Sequence, residues 1–369
     1  MSRRLVALDL PGSWAFVDAL RDVWDRGDAA FPLDQRLPHA AKAALLATMG
    51  AGAVIDEQGE TTLDTGWPVE PGDALVVATS GSTGIPKGVV LTHDAVAASA
   101  HATSARLGVT QDDHWLACLP LSHVGGLSVV TRAMITATSL TVLPAFDPVL
   151  VTGVGATHVS LVRTALRRID PSAFRTIVLG GAAPPPDLPP NVVTTYGMTE
   201  TGSGVVYDGR PLDGVEVRID AGGQIHLRGP MLLRAYRDGT DPLVDGWLAT
   251  GDIGRWLDDG RLHVEGRAGD LIITGGENVW PEPVEAALRE HPAVLDVAVT
   301  GCPDDEWGQL VTAVVVPAHG APPTLDELRG VVKESLPAYC APRRLVLVDT
   351  IPRTALGKVR RSELRRLVH

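Results

Sequence analysis

Residues 79–88 read TSGSTGIPKG and follow directly on the apolar run at 74–78, ALVVA. No other stretch constrains the chain as much. Thr79, Ser80, Ser82 and Thr83 offer hydroxyls; Gly81, Gly84 and Gly88 let backbone N–H groups approach an oxyanion; Lys87 adds a compact positive charge. A strand running into such a loop is a cradle for a polyphosphate. A flexible Gly/Ser linker has a similar composition, but a linker needs neither the rigid turn of Pro86 nor a fixed cation. Lys87 is followed by Gly88 and not by Ser or Thr, so the Walker pattern is not spelled out. The loop therefore predicts a nucleoside triphosphate site of another kind, set between a strand and a helix at 92–107 that stops at Gly108.

The remaining composition limits the ligand classes. With 369 residues the chain suits one large domain and a smaller one. Lys and Arg number 32 against 44 Asp and Glu, a formal charge of −12. That balance argues against a general nucleic-acid or anionic-membrane binder, so an anionic ligand must be held by local cations. Cys118, Cys302 and Cys340 are scattered and odd in number, which suggests neither a disulfide framework nor a zinc site and fits a reducing cytoplasm. The apolar run after Arg3 and Arg4 breaks at Asp9 and Pro11, too early for a signal peptide. The uncharged stretch 115–131 contains Pro120, His123, Gly125 and Gly126 and reads as buried core, not as a membrane span.

Further candidates lie along the chain. Residues 1–73 read as scaffold without chemistry. In LPLSHVGG at 119–126, His123 reads equally well as a core residue or as an accessible ring. The β-branched runs at 176–179 and 192–195 end in Gly180, Gly181 and Ala182 and in YGMTET, which puts both turns at the carboxyl edge of a parallel sheet, where α/β proteins bind ligands. There Tyr196 and Gly197 could meet a base, and Thr199 and Glu200 offer hard oxygens for Mg²⁺. From 214 to 264 short alternating strands suggest a small β-barrel or sheet. It carries Asp252, which suits either an Asx turn or the two hydroxyls of a ribose. A boundary at GRAGD, 266–270, divides a domain at 1–269 from an α+β domain at 270–369. The latter has a helix from Pro281 to Glu290, strands near 294–299 and 310–316, and a capping box at Thr324 and Glu327 before a helix with Leu328, Val331, Val332 and Leu336 on one face. The basic tail PRTALGKVRR reads as a solvated charge run, except that Gly357 lets Lys358 project from a turn.

Taken in order, TSGSTGIPKG, YGMTETGSG, GWLATGDIG, GRAGDLIITGGENVWPEPVE and PRTALGKVRR resemble the adenylate-forming superfamily of acyl-CoA synthetases, adenylation domains and luciferases. Each motif is a weak signal, but five in register across 79–361 are specific. The resemblance implies an α/β fold with a large AMP-binding domain of parallel sheets plus a small β-barrel, and a small mobile α+β domain. It implies that Thr79, Ser80, Gly81, Ser82, Thr83, Gly84 and Lys87 embrace the ATP phosphates. Tyr196 and Gly197, with Gly180, Gly181 and Ala182, would meet adenine; Glu200 and Thr199 would serve Mg²⁺; Asp252 and Arg267 would hold the ribose. Lys358 is then the catalytic lysine, Asp270 the hinge, and Gly275, Gly276 and Glu277 the loop presented in the CoA step.

The implied reaction has two steps, acyl-adenylate formation with release of pyrophosphate and then thioester formation with release of AMP. The expected partners are a small carboxylic acid, ATP, Mg²⁺ and CoA, with no nucleic acid and no membrane insertion; a homodimer stays open. Within the superfamily, the compact region before the first motif, THVSLV at 157–162 and VYDGRPLDGVEV at 206–217 most resemble the o-succinylbenzoate–CoA ligases of the menaquinone pathway. His123, Ser160 and Ser203 are candidates for the acyl pocket and its gate. Arg163 either faces a substrate carboxylate or lies on the surface at a helix start. General medium-chain or aryl acid–CoA ligases and carrier-protein-loading adenylation enzymes are the rival readings. A non-catalytic relative is disfavoured by Glu200, Asp252 and Lys358.

Overall fold

The computed structural model describes residues 3–79, 86–185, 187–353 and 359–368. They form two compact units, one of Met1–Arg218 and His226–Ala249, the other of Ile219–Ile225 and Thr250–His369. The chain passes from the first to the second inside the strand Trp247–Trp256.

Two sheets of seven strands each, counted among the described residues, build the first unit. One runs Ala235–Tyr236, Lys87–Thr92, Asp73–Thr79, Ala29–Pro32, Leu5–Leu8, Ala53–Asp56, Gly59–Thr62. Residues 1–73, read as scaffold, thus supply four of its strands and the first residue of a fifth. Leu5, Ala7, Phe31, Val76 and Val90 fill one core against it. The other sheet runs Arg210–Pro211, Gly204–Tyr207, Val192–Gly197, Thr176–Gly180, His158–Val162, His114–Ala117, Ser139–Val142. Its central strands are parallel, as the β-branched runs predict, and Leu116, Val159, Leu161, Ile177 and Leu179 pack beneath it.

The helix His93–Leu107 begins where the Thr92 hydroxyl accepts from the Ala95 N–H at 3.1 Å and ends at Gly108, φ +62°. One expectation needs correction. The phosphate loop does not run from a strand into this helix; it joins Asp73–Thr79 to an antiparallel partner, Lys87–Thr92, with Thr79 opposite Lys87. The run Val89, Val90, Leu91 after Gly88 is fully buried and β-branched or apolar, so it extends as a strand before the helix can start. The helix His93–Leu107 therefore does not begin at the end of the loop. The stretch at 115–131 is core as expected: Trp115, Leu116 and Ala117 are buried strand residues, and the helix Val124–Thr136 buries Leu127, Val129, Val130 and Ala133. No described helix is long and apolar enough to cross a membrane.

In the second unit, Asp252–Trp256 pairs antiparallel with Leu262–Arg267, part of the predicted meander of short strands. A separate sheet runs Glu277–Val279, Ile272–Thr274, Gly308–Pro317, Val294–Asp304, with Arg344–Leu347 parallel to Gly308–Pro317. The helices Pro281–Leu288 and Leu325–Ser335 close one face over Val297, Val299, Val311 and Ala313. The second helix has the predicted capping box, with Glu327 N–H bonded to Thr324 Oγ1 at 3.3 Å and Thr324 N–H to Glu327 Oε2 at 2.7 Å. The helix Arg361–Val368 covers Ala298, Cys302 and Val314 through Leu364 and Val368. The basic tail is consequently not a solvated run throughout, because Arg361 leaves only 12% of its side chain exposed. All three cysteines are buried thiols.

Candidate active site

In the first unit, a short strap at 233–237 ties the two sheets' functional turns together. Glu200 sits in the 3₁₀ turn Thr199–Thr201, just past the end of Val192–Gly197. Its carbonyl accepts from the Leu233 N–H at 2.8 Å. Arg234 N–H donates to Val90 O at 2.9 Å and Arg237 N–H to Gly88 O at 2.7 Å, so the strap continues as the edge strand beside Lys87–Thr92. Its side chains lock it there. Arg234 forks onto Asp73 at 2.8 and 2.9 Å, and Arg237 donates to the carbonyls of Met49, Trp67 and Pro68. Tyr236 then reaches both neighbours: its hydroxyl donates to Glu200 Oε1 at 3.0 Å, and Lys87 Nζ stands 4.6 Å from its ring centroid. Thr79 Oγ1 lies 3.5 Å from Lys87 O. Ser80, Gly81, Ser82, Thr83 and Gly84 lie outside the described residues.

At the neighbouring strand ends, Gly180 closes Thr176–Gly180, and Gly181 has φ +88°, which a side chain would strain. Ala182 and Gly181 are exposed, and Tyr196 is half-buried. Gly197 has no room for a Cβ, which would lie 2.2 Å from Ser203 O. This close approach folds the chain after Tyr196 back so that Ser203 turns inward.

Ser203 leads to a residue that the sequence reading passed over. Arg132, on the helix Val124–Thr136, is 2% exposed; its Nη2 lies 3.4 Å from Ser203 Oγ, which lies 3.4 Å from Ser128 Oγ. Nε and Nη1 of Arg132 have no hydrogen-bond partner. Its guanidinium stacks 4.7 Å over Trp115, whose other neighbour is the His158 ring at 4.8 Å. Burial without a carboxylate pulls the Arg132 pKa down. Leu75, Leu91, Ser99, Leu127, Ser128 and Gly202 join it around a narrow cavity of about 10 Å³ for the centre of a water, room for about one. The available signal was a single cation in the otherwise uncharged helix sequence VGGLSVVTRAMIT.

The other pocket candidates are dispersed. His123 precedes that helix and faces Asp34 at 3.9 Å, a partner from the region read as scaffold. Ser160 is buried in the second sheet opposite Val178. Arg163 is half-buried at the first position of the four-residue helix Arg163–Leu166.

The second unit holds the remaining candidates. Asp252 and Arg267 lie opposite each other in the hairpin and pair at 2.9 Å, with Asp252 N–H on Thr250 Oγ1. Asp270, ending the 3₁₀ turn Ala268–Asp270, is paired to Arg361 at 3.1 Å and to Arg365 at 3.2 Å. Arg361 also reaches Glu282 at 2.8 Å, Glu285 at 3.1 Å and Val299 O at 2.7 Å. Gly275 and Gly276, φ +58° and +84°, make the turn between Ile272–Thr274 and Glu277–Val279, and Glu277 is exposed. Lys358 lies outside the described residues.

Among the described residues no cluster of three or more His, Cys, Asp or Glu could hold a metal by itself. Glu200 is a single carboxylate whose Oε1 takes the Tyr236 hydroxyl, and one carboxylate shared with phosphates is the usual mode of holding Mg²⁺.

A carboxylate at the end of a sheet strand, a lysine at the foot of a hairpin loop and a separate α+β unit agree with the adenylate-forming class of enzyme that the motifs resemble. The AMP-binding enzyme model matches residues 60–237, and the AMP-binding enzyme C-terminal domain matches 283–358. The chain is 42% identical over 332 residues to a Mycobacterium tuberculosis protein named "Probable 2-succinylbenzoate--CoA ligase", covering 82% of this chain and 86% of that one. It is 37% identical over 337 residues to a 2-succinylbenzoate–CoA ligase of Bacillus cytotoxicus, covering 79% and 70%. In structure it resembles the o-succinylbenzoate CoA synthetase of Bacillus subtilis in complex with the acyl-adenylate intermediate OSB-AMP, with a TM-score of 0.87, 30% identity, and 98% and 88% coverage. The chain belongs to the AMP-binding enzyme family.

Proposed function

We propose that this chain is an ATP-dependent acid–CoA ligase whose acid is 2-succinylbenzoate, the acid in its relatives' names, and that it acts in menaquinone biosynthesis. In the first half-reaction a carboxylate oxygen of the acid bonds to the α-phosphorus of ATP and pyrophosphate leaves. In the second, the CoA sulfur bonds to the acyl carbon and AMP leaves. Lys87 and the loop 79–88 hold the departing phosphates, Glu200 with Thr199 takes the Mg²⁺, and Asp252 with Arg267 holds the ribose. Bound Mg²⁺ supplies charge neutralisation at the phosphates. Tyr196, with Gly180, Gly181, Ala182 and Gly197, accommodates adenine. Lys358 bridges the acyl carboxylate and the α-phosphate, Asp270 is the hinge between domains at 1–269 and 270–369, and Gly275, Gly276 and Glu277 belong to the CoA step. A cytoplasmic location is part of this reading, supported by three buried free thiols. The choice between monomer and homodimer stays open in this reading and is made by solution mass from light scattering.

The observation that carries the choice of acid is Arg132. A buried guanidinium with two unpartnered nitrogens is costly beside a fatty acyl chain, but it complements an anion. 2-Succinylbenzoate keeps a second carboxylate when the first is activated, and the single water that the cavity admits can link the two groups. Ser128 extends the polar side of that cavity and is bonded to Ser203 behind it, and His123 with Asp34 lies at the start of the same helix.

The test is pyrophosphate release with 2-succinylbenzoate, benzoate and fatty acids, each with and without CoA. Release with 2-succinylbenzoate, and thioester only when CoA is added, is the expected result. Faster turnover of benzoate or a fatty acid would overturn the choice of acid. Accumulation of acyl-adenylate in the presence of CoA would point to a carrier-protein acceptor.

A further inference from the structure

Tyr236 belongs to none of the sequence motifs that suggested the site, yet it touches two residues assigned to different parts of it. We infer that Tyr236 is a positioning residue that sets the Glu200 carboxylate and the Lys87 ammonium as one unit, so that metal binding and phosphate binding are coupled through its ring. This rests on the proposed roles of Glu200 and Lys87.

The geometry has three parts. First, the hydroxyl donates to Glu200 Oε1 at 3.0 Å and so fixes one oxygen and the plane of the carboxylate, whose other oxygen is the one the proposed function gives to the metal. Partners of this kind are what orient a metal-binding carboxylate. Second, the ring lies under Lys87 Nζ at 4.6 Å, a cation–π contact that restrains a side chain with four rotatable bonds. Third, Tyr236 cannot drift. Its N–H donates to Thr240 O at 2.8 Å, it lies opposite Val89 in the edge-strand pair, and Arg234 and Arg237 clamp the strap on either side. A surface tyrosine packed only for its apolar area would need none of this. Glu200 is also held at its backbone by Leu233 of the same strap, so the strap controls both ends of that residue.

The experiment is calorimetric binding of a non-hydrolysable ATP analogue to the full chain, in Mg²⁺ and in EDTA, for wild type, Tyr236→Phe and Tyr236→Leu. Removal of the hydroxyl alone is expected to cut the Mg²⁺-dependent gain in affinity about tenfold and to leave binding in EDTA unchanged. Tyr236→Leu is expected to weaken binding in EDTA as well, because Lys87 loses its platform. The phenylalanine variant keeps the ring and its packing, so it decides the matter even if the leucine variant does not fold. A full Mg²⁺ gain in Tyr236→Phe, or an equal loss with and without Mg²⁺, would overturn the coupling. Failure of the wild type to bind the analogue in either condition would instead overturn the proposed function.

Discussion

Arg132 and Arg361 are both largely withdrawn from water, and they are treated oppositely. Arg361, in the second unit, is surrounded by Asp270, Glu282 and Glu285 and donates to Val299 O. Burial opposes its charge, but Glu285, Glu282 and Asp270 outweigh burial and raise its pKa. Arg132, in the first unit, is buried more completely, has no carboxylate against it, and has its pKa lowered. One cation is finished by the fold, and the other is left for something that the fold does not supply. The first reads as architecture that anchors the helix three residues beyond Lys358; the second reads as recognition.

The comparison breaks most readily at Arg361. Arg361→Met should leave half-buried Glu282 without its cation and buried Glu285 with Arg289 alone, and cost about 3 kcal/mol of stability, read as a lowered melting transition in calorimetry. Glu282, already pushed upward in pKa by burial, should then take up a proton on folding. If Arg361→Met melts with the wild type, the cluster is not structural.

Arg132→Met should do the reverse. Its folding stability should stay level or rise, since no partner is orphaned. Its kcat/KM toward 2-succinylbenzoate should fall by about 2–3 kcal/mol, roughly 30- to 150-fold, while benzoate turnover changes little. A stability loss like that of Arg361→Met, with the preference among acids unchanged, would erase the distinction between the two sites.

The smallest effect is a proton shift. Burial pulls the His158 pKa from 6.5 to about 4, and Arg132 adds to this across Trp115 while Asp113 opposes it. Folding therefore favours neutral His158, so its contribution is complete above pH 6.5 and is lost as the pH falls through about 4. Asp113 acts lower still. Burial raises it, but hydrogen bonds from Thr110, Arg175 and Thr157 prevail and hold it at about 2, so its contribution is lost between pH 3.8 and about 2. Urea titrations from pH 7 to 4 should show the first loss. In Arg132→Met the His158 pKa, followed by NMR, should move up; no movement would mean that Trp115 insulates the two rings.

These sites also mark how far the sequence could be read. The parallel strands ending at Gly180 and Gly197, the helix stop at Gly108, the Thr324 cap and the helix after Trp280 were legible, because periodicity and capping are local properties of the chain. Glu200, Lys87, Asp252 and Arg267 were singled out for a different reason: their neighbours in sequence form motifs. The hairpin around the phosphate loop was not, because Gly88 and the short run after it look like a prelude to the Ala-rich helix until the pairing with Asp73–Thr79 is seen. Arg132, Tyr236, Asp34 and Arg361 were missed because their meaning lies in partners 71, 36, 89 and 76 residues away, respectively Ser203, Glu200, His123 and Glu285.

By itself, then, the sequence determined the order of elements, the two-part organisation and the kind of chemistry, since each is carried by short-range pattern. Tertiary structure alone decided which charges are satisfied. Arg132 and Arg361 are indistinguishable as letters; burial and the carboxylates that long-range folding brings to one and withholds from the other make the difference.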